Sequence, residues 1–168
     1  MTLIISIIVF IRTKNDYHIS TSGILYSVNK LSSDVSIVDL RSGKTIKTIK
    51  IKVEPHEITA LTDLNIAVIT NYGNSKKIGE SLTVIDGSSH SIISNITLEG
   101  KKKPHGIQVI PNTNKVAIVN DEKSELLLVD IKNNQLEAAI STNENTSHLL
   151  AVHPTKPIAF CSNSTSNS

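Results

Sequence analysis

The chain reads as a succession of short apolar runs broken by polar turn clusters. The clearest stretch has runs at 106–110, 115–120, 126–131 and 136–141, with turn residues at 111–114 and 133–134. That is four strands of five or six residues joined by tight turns. The runs are nearly continuous in Val, Ile and Leu rather than alternating, which predicts strands covered on both faces. The template recurs upstream as an inner hairpin at 58–61 and 66–70 followed by strands at 81–85 and 92–98, and before that as strands at 24–28, 35–40 and 45–51. Gly43 sits in the last of those turns, where a positive φ carries no steric penalty. A fourth unit begins at 149–152, turns through 154–157, runs 158–161, and then gives way to a Ser- and Asn-rich end.

Polar residues mark the same units. His56/Asn71, His105/Asn120 and His148/Asn163 are each fifteen residues apart, and Asp39, Asp86 and Asp130 precede the three histidines by 17, 19 and 18 residues. Successive histidines are therefore 49 and 43 residues apart, a period typical of stacked or radial repeats. Asn71 to Asp86 is fifteen residues against ten for Asn120 to Asp130, so the second unit carries about five extra residues, expected as a loop over 72–80. The four-residue turn at 111–114 pairs Ile110 with Lys115. Carried outward, that register sets His105 opposite Asn120, and the same holds for His56 with Asn71 and His148 with Asn163.

Composition narrows the class without naming a partner. Hydrophobic residues make up 39% of the 168, which suits a globular chain, and the net charge of +2 is uninformative. Lys101, Lys102 and Lys103 form the one basic run. With five aromatic residues and no Trp in the whole chain it reads as a solvated loop, and nucleic-acid binding is not expected. Cys161, the single cysteine, lies in an apolar run and is expected to be a small buried residue. Residues 3–11 are nearly all apolar, too short to span a bilayer. No basic residue precedes them, and Arg12-Thr13-Lys14 stands where a cleavage site belongs, so residues 1–23 read either as a degraded export signal or as a strand. The sequons at Asn95, Asn145 and Asn163 matter only for an exported, glycosylated protein.

Four short strands in about 45 residues make one blade of a β-propeller. The segment Val35-Ser36-Ile37-Val38-Asp39-Leu40-Arg41-Ser42-Gly43-Lys44 resembles the "VsViDlatGk" element of the YVTN-repeat (YncE-like) propellers, and 82–86 and 127–131 repeat it. Pro104-His105-Gly106-Ile107-Gln108-Val109-Ile110-Pro111 is similar to that family's "PhgiavsPdg", and 67–71 and 117–120 stand where the family carries Tyr-Val-Thr-Asn. The resemblance covers residues 24–163. It implies an all-β propeller of four-stranded antiparallel blades: blade 1 over 24–52, blade 2 over 56–98, blade 3 over 105–141, and the start of blade 4 over 148–163. The family usually closes seven blades, so the resemblance implies an incomplete ring and a piece of a longer envelope or surface protein, its missing blades being the first partner expected. A self-assembling partial ring is the alternative.

In the family's topology the first strand of each blade lines the central channel, which puts His56, His105 and His148 at the channel mouth beside Asn71, Asn120 and Asn163, with Tyr72 on the inserted loop. Structurally, each histidine can hold the loop entering its inner strand, and each asparagine can end a strand as a turn residue. Functionally, imidazoles and amides could take a metal or another ligand. Blades fan about 10 Å apart, so a shared ion would require the rings to converge across the channel. The three aspartates are expected to cap turns, because a catalytic acid has no reason to recur in every blade. The reading is a non-enzymatic propeller that binds a protein or small ligand at its channel mouth and needs no cofactor. A lactonase-type propeller hydrolase is the enzymatic alternative, with His153 and Glu57 as non-repeated candidates. A propeller domain of a metal-dependent redox enzyme is the third reading, although no haem-attachment motif or copper-binding Cys/His/Met set is present.

Overall fold

The computed structural model describes residues 20–166, so the alternatives drawn for residues 1–19 lie outside it. The described chain is built of short antiparallel strands with one 3₁₀ turn, Thr62–Leu64. A three-stranded sheet holds β1 (Ile24–Asn29), β2 (Asp34–Asp39) and β3 (Lys44–Lys50). The next has four strands: β4 (Pro55–Leu61), β5 (Ile66–Gly73), β6 (Ile78–Asp86) and β7 (Ser91–Thr97). A second four-stranded sheet holds β8 (Pro104–Val109), β9 (Lys115–Asn120), β10 (Glu125–Asp130) and β11 (Gln135–Ser141). Finally β12 (Ser147–Val152) pairs with β13 (Ala159–Asn163). Each sheet is ordered as the chain runs, and β4, β8 and β12 stand side by side, so the sheets fan outward from a common inner edge.

Side-chain alternation explains why the runs are apolar throughout. Along β5, Ala67 and Ile69 face the first sheet and join Val35, Ile37, Ile49 and Ile51. Val68 points the other way, and with Leu82, Val84 and Ile96 it meets Val116, Ile118, Leu127 and Val129 of the third sheet. A strand with period two buries both faces only when sheets cover both sides. Apolar side chains are exposed at Ile24 and Leu25 on the first sheet, Ile140 on the third, and Leu149 and Phe160 on the last pair. Between the third sheet and β12–β13 lies an apolar cleft of about 530 Å³, lined by Ala117, Leu126, Leu128, Ile140, Val152 and Ile158 among others.

The aspartates close the turns after β2, β6 and β10. Asp39 Oδ1 accepts from the Ser42 N–H at 2.7 Å, Asp86 Oδ1 from Ser89 at 2.7 Å, and Asp130 Oδ1 from Asn133 at 2.9 Å. These bonds from the turn hold the Asp39 and Asp86 carboxyls below the usual carboxylate range. Gly43 has φ +65 in the first of these turns.

A β-bulge recurs at the same place two residues before each aspartate: between Ile37 and Val38, Val84 and Ile85, and Leu128 and Val129. The residues it leaves without a partner across the sheet, Ile46, Ile93 and Glu137, lie on the outer strands, and both isoleucines are exposed. Recurrence at one register marks it as a feature of the repeat.

Candidate functional site at the inner edge

A second recurring bulge lies at the start of each inner strand and changes the expected pairing. Pro55 pairs with Asn71, and the next pair is Ile58 with Ile69; Pro104 pairs with Asn120, then Ile107 with Ile118; Ser147 pairs with Asn163, then Leu149 with Ser162. The residue before each histidine, not the histidine itself, therefore faces the asparagine. His56, His105 and His148 are the second residues of β4, β8 and β12 rather than members of an entering loop. Pro55 and Pro104 occupy first-strand positions, where the missing N–H disturbs the ladder least.

A bulge turns a side chain out of the regular pleat. Here three of them bring the imidazoles together. The rings of His56 and His105 are 4.1 Å apart between centroids, and those of His105 and His148 are 3.9 Å apart. The sheet-spacing estimate placed them too far apart, because it followed the sheets and not the rings at their inner ends. Gly106 makes the close approach possible: a Cβ there would sit 2.9 Å from the backbone oxygen of His148.

Tyr72 joins the column, its ring 5.1 Å from His56 and 5.4 Å from His105. Its hydroxyl donates to Asp121 Oδ2 at 2.7 Å. Burial, and then that bond and the charge behind it, push the phenol up to about 12. Lys30, from the turn after β1, lies over the Tyr72 ring at 4.9 Å. The extra residues of the second unit are not a free loop. They lengthen the β5–β6 hairpin, with Gly73 opposite Ile78 and a turn in which Asn74 Oδ1 accepts from the N–H groups of Lys76 and Lys77 at 2.8 and 2.9 Å. A cleft of about 310 Å³ lined by Lys30, Glu54, Tyr72, Asn74 and Lys103 opens beside this hairpin.

His105 is 4% exposed, and its Nδ1 has no hydrogen-bond partner; His56 Nδ1 and Asp121 Oδ1 are likewise buried and unbonded. Glu57 Oε1 is 3.4 Å from His56 Nδ1 but outside hydrogen-bond geometry, and Asp121 Oδ1 is 4.0 Å from His148 Nδ1. Burial, followed by the neighbouring imidazoles of His56 and His148, pushes His105 down to about 4. Burial and the Lys30 charge also hold His56 below the ordinary histidine range. Both rings are neutral near pH 7, and each keeps a nitrogen lone pair for an acceptor or ligand role.

The asparagines do something else. Asn71 Nδ2 donates to Ser81 Oγ at 2.9 Å and Thr83 Oγ1 at 3.0 Å, and Asn120 Nδ2 to Glu125 Oε2 at 3.1 Å. Asn163 Oδ1 accepts from Ser147 Oγ at 2.7 Å. Asn29, at the matching place on β1, donates to Asp34 and Ser36 at 2.8 Å each. In the first sheet the amide clamps β1 to β2, and in the next two it clamps the second strand to the third. The other candidates are scattered. His153 Nδ1 accepts from the backbone of Thr155 and Lys156 in its own turn, far from Glu57 in the chain. Cys161 is half-buried rather than buried, its strand β13 being one of a two-stranded pair. Lys101 pairs with Glu125 at 2.9 Å, and Lys102 is exposed.

Sheets of this kind fanning from a shared inner edge define a β-propeller, and comparison with solved structures agrees. Similar folds include hydrazine synthase from Kuenenia stuttgartiensis (TM-score 0.66, 19% identity, 76% of this chain and 35% of that one). The dihydro-heme d1 dehydrogenase NirN is similar at TM-score 0.61 and 14% identity over 70% of this chain and 25% of that one. U3-55K is similar at TM-score 0.64 and 10% identity over 77% of this chain and 39% of that one. The chain thus spans well under half of each, and at these identities the likeness concerns the fold alone. No family model and no curated relative matches the sequence. Among the described residues no helix is long and apolar enough to cross a membrane.

Proposed function

We propose that this chain is part of a non-enzymatic binding propeller of the YVTN-repeat kind, completed by further blades to a seven-bladed ring at the cell envelope or surface. Its ligand is taken at the inner edge, beside Tyr72 and the three clustered imidazoles. The observation that carries this reading is the set of buried, unbonded atoms there: His56 Nδ1, His105 Nδ1, Asn120 Oδ1 and Asp121 Oδ1. Leaving such a group without a partner costs about 1–3 kcal/mol, which a site tolerates when a ligand is to supply the missing bond. Asn71 and the repeat's aspartates, by contrast, are engaged within the fold. Of the two lactonase candidates, His153 is taken up by the backbone of its own turn and Glu57 stands beside His56, so the two have separate partners.

The test is to titrate the isotope-labelled full chain with a panel of amino acids, short peptides, sugars and dicarboxylates while following amide shifts. Perturbations centred on Tyr72, His105 and Asp121 are expected. Shifts confined to the outer strands, or turnover of a lactone panel above background, would overturn the proposal.

A further inference from the structure

Deepening that reading, and resting on it, we propose that His56, His105 and Glu57 form a binding site for a divalent transition-metal ion of the zinc class. The donor atoms of the three residues all lie within 4.8 Å of one another. Tetrahedral zinc with bonds of about 2.0–2.1 Å places its ligand atoms roughly 3.3 Å apart, so side-chain rotations of about an ångström close the set. Two imidazoles and a carboxylate are borderline-soft nitrogen and hard oxygen donors, a combination that suits zinc, copper or nickel and not the all-oxygen shells of calcium or magnesium.

Several features set this cluster apart from a packing coincidence. His105 is 96% removed from solvent with an unbonded Nδ1, so the nitrogen has been stripped of water without gaining a protein partner. The bulges at Pro55–Ile58 and Pro104–Ile107 turn both histidines toward each other across two different sheets. Glu57 is the bulge neighbour of His56, and its N–H is already satisfied by Thr70 Oγ1 at 3.0 Å, which fixes the backbone from which the carboxylate extends. Further polar groups stand beyond the three donors. Asp121 Oδ1 is buried and unbonded, 4.0 Å from His148 Nδ1, and Tyr72 holds the other oxygen of that carboxylate. This carboxylate stands beside His148, whose ring lies 3.9 Å from that of His105, and so backs a neighbour of the ligand set. Three protein donors leave a fourth coordination position, open to the ligand of the proposed channel-edge site or to water.

The experiment is calorimetric titration of the full chain with Zn²⁺, and separately with Mg²⁺, near neutral pH, with wild type, H56Q, E57Q and H105Q compared against H90Q and H153Q. Circular dichroism checks that each variant is folded. Expected are one tight zinc per chain, no magnesium binding, a loss of at least about tenfold in zinc affinity for H56Q and E57Q, and unchanged affinity for H90Q and H153Q. Because H105Q alters a buried residue, the half-exposed Glu57 and His56 carry the decision if H105Q does not fold. Absence of zinc binding, or zinc binding unaffected by H56Q and E57Q, would overturn the metal site. Organic ligands that still perturb Tyr72 and Asp121 in a chain that ignores zinc would remove the metal inference alone; failure of both titrations would remove the inner-edge site as well.

Discussion

Asn71 and His105 belong to sets that recur with the same period, yet the structure treats these two residues oppositely. Asn71 is 3% exposed and its amide bridges Ser81 and Thr83; His105 is 4% exposed and its Nδ1 bridges nothing. Both are deeply buried polar side chains at the inner end of a hairpin. One is part of what holds the second strand to the third, and the other is a donor held ready. Periodicity alone does not separate such roles, since any residue required by the blade recurs. The pattern of satisfied and unsatisfied hydrogen bonds separates Asn71 from His105, and Asn120, with Nδ2 bonded to Glu125 and Oδ1 unbonded, stands between them.

The comparison is broken most forcefully at the clamp. Asn71→Ala removes two bonds and leaves Ser81 and Thr83 to find other partners, so urea unfolding is expected to show a loss of about 2–3 kcal/mol. His56→Gln removes no bond within the fold and is expected to cost less than about 1 kcal/mol. Equal losses would mean that the imidazoles are structural after all.

Acid sharpens the same contrast. His105 has its pKa depressed to about 4 in the folded chain against about 6.5 when unfolded. The unfolded chain therefore binds more protons between those values. This contribution is fully present above about pH 6.5 and is lost as pH falls toward 4, on the order of 2 kcal/mol in total. Metal-free unfolding curves measured across that window should show a shallower slope for His105→Asn than for wild type. A parallel slope would contradict the assignment.

Tyr72→Phe removes the bond to Asp121 and is expected to cost about 1.5 kcal/mol, the low end of the range for a bond to a charged group. The smallest effect is spectroscopic: one tyrosine ionises only near pH 12 in wild type, and that late step disappears in the variant. If every tyrosine ionises near 10, Tyr72 is not engaged as described.

Much of the fold was legible in the chain. Continuous apolar runs such as 66–70 and 116–119 announced strands covered on both faces, and burial of Ala67 and Ile69 against one sheet and Val68 against the other is that expectation realised. The turn-capping aspartates were equally plain, because a carboxylate after each third strand has a local partner three residues on. The bulge at each histidine was not legible. Counting outward from the turn assumes one residue opposite one, and a single extra residue on β4, β8 and β12 moves every partner by one place. Pro55 and Pro104 directly before the histidines, with Gly106 after one of them, are the local signals that a bulge lies there. The convergence of the rings was hidden for the same reason. Asp121 was missed outright, since its link to Tyr72 joins residues 49 apart on different sheets. The extended β5–β6 hairpin read as a loop because Gly73 and Asn74 interrupt its apolar pattern.

The most direct test is the protonation of His105 itself. Long-range nitrogen–proton spectra of the histidine rings, recorded on the labelled full chain in chelator over a range of pH, report each imidazole separately. A neutral His105 ring down to about pH 4, with a free Nδ1 or its tautomeric counterpart visible as an unprotonated nitrogen, is the expected result. A His105 that titrates near 6.5 or above would show that its ring is solvated or paired, and the view of the column as a set of unengaged donors would fail.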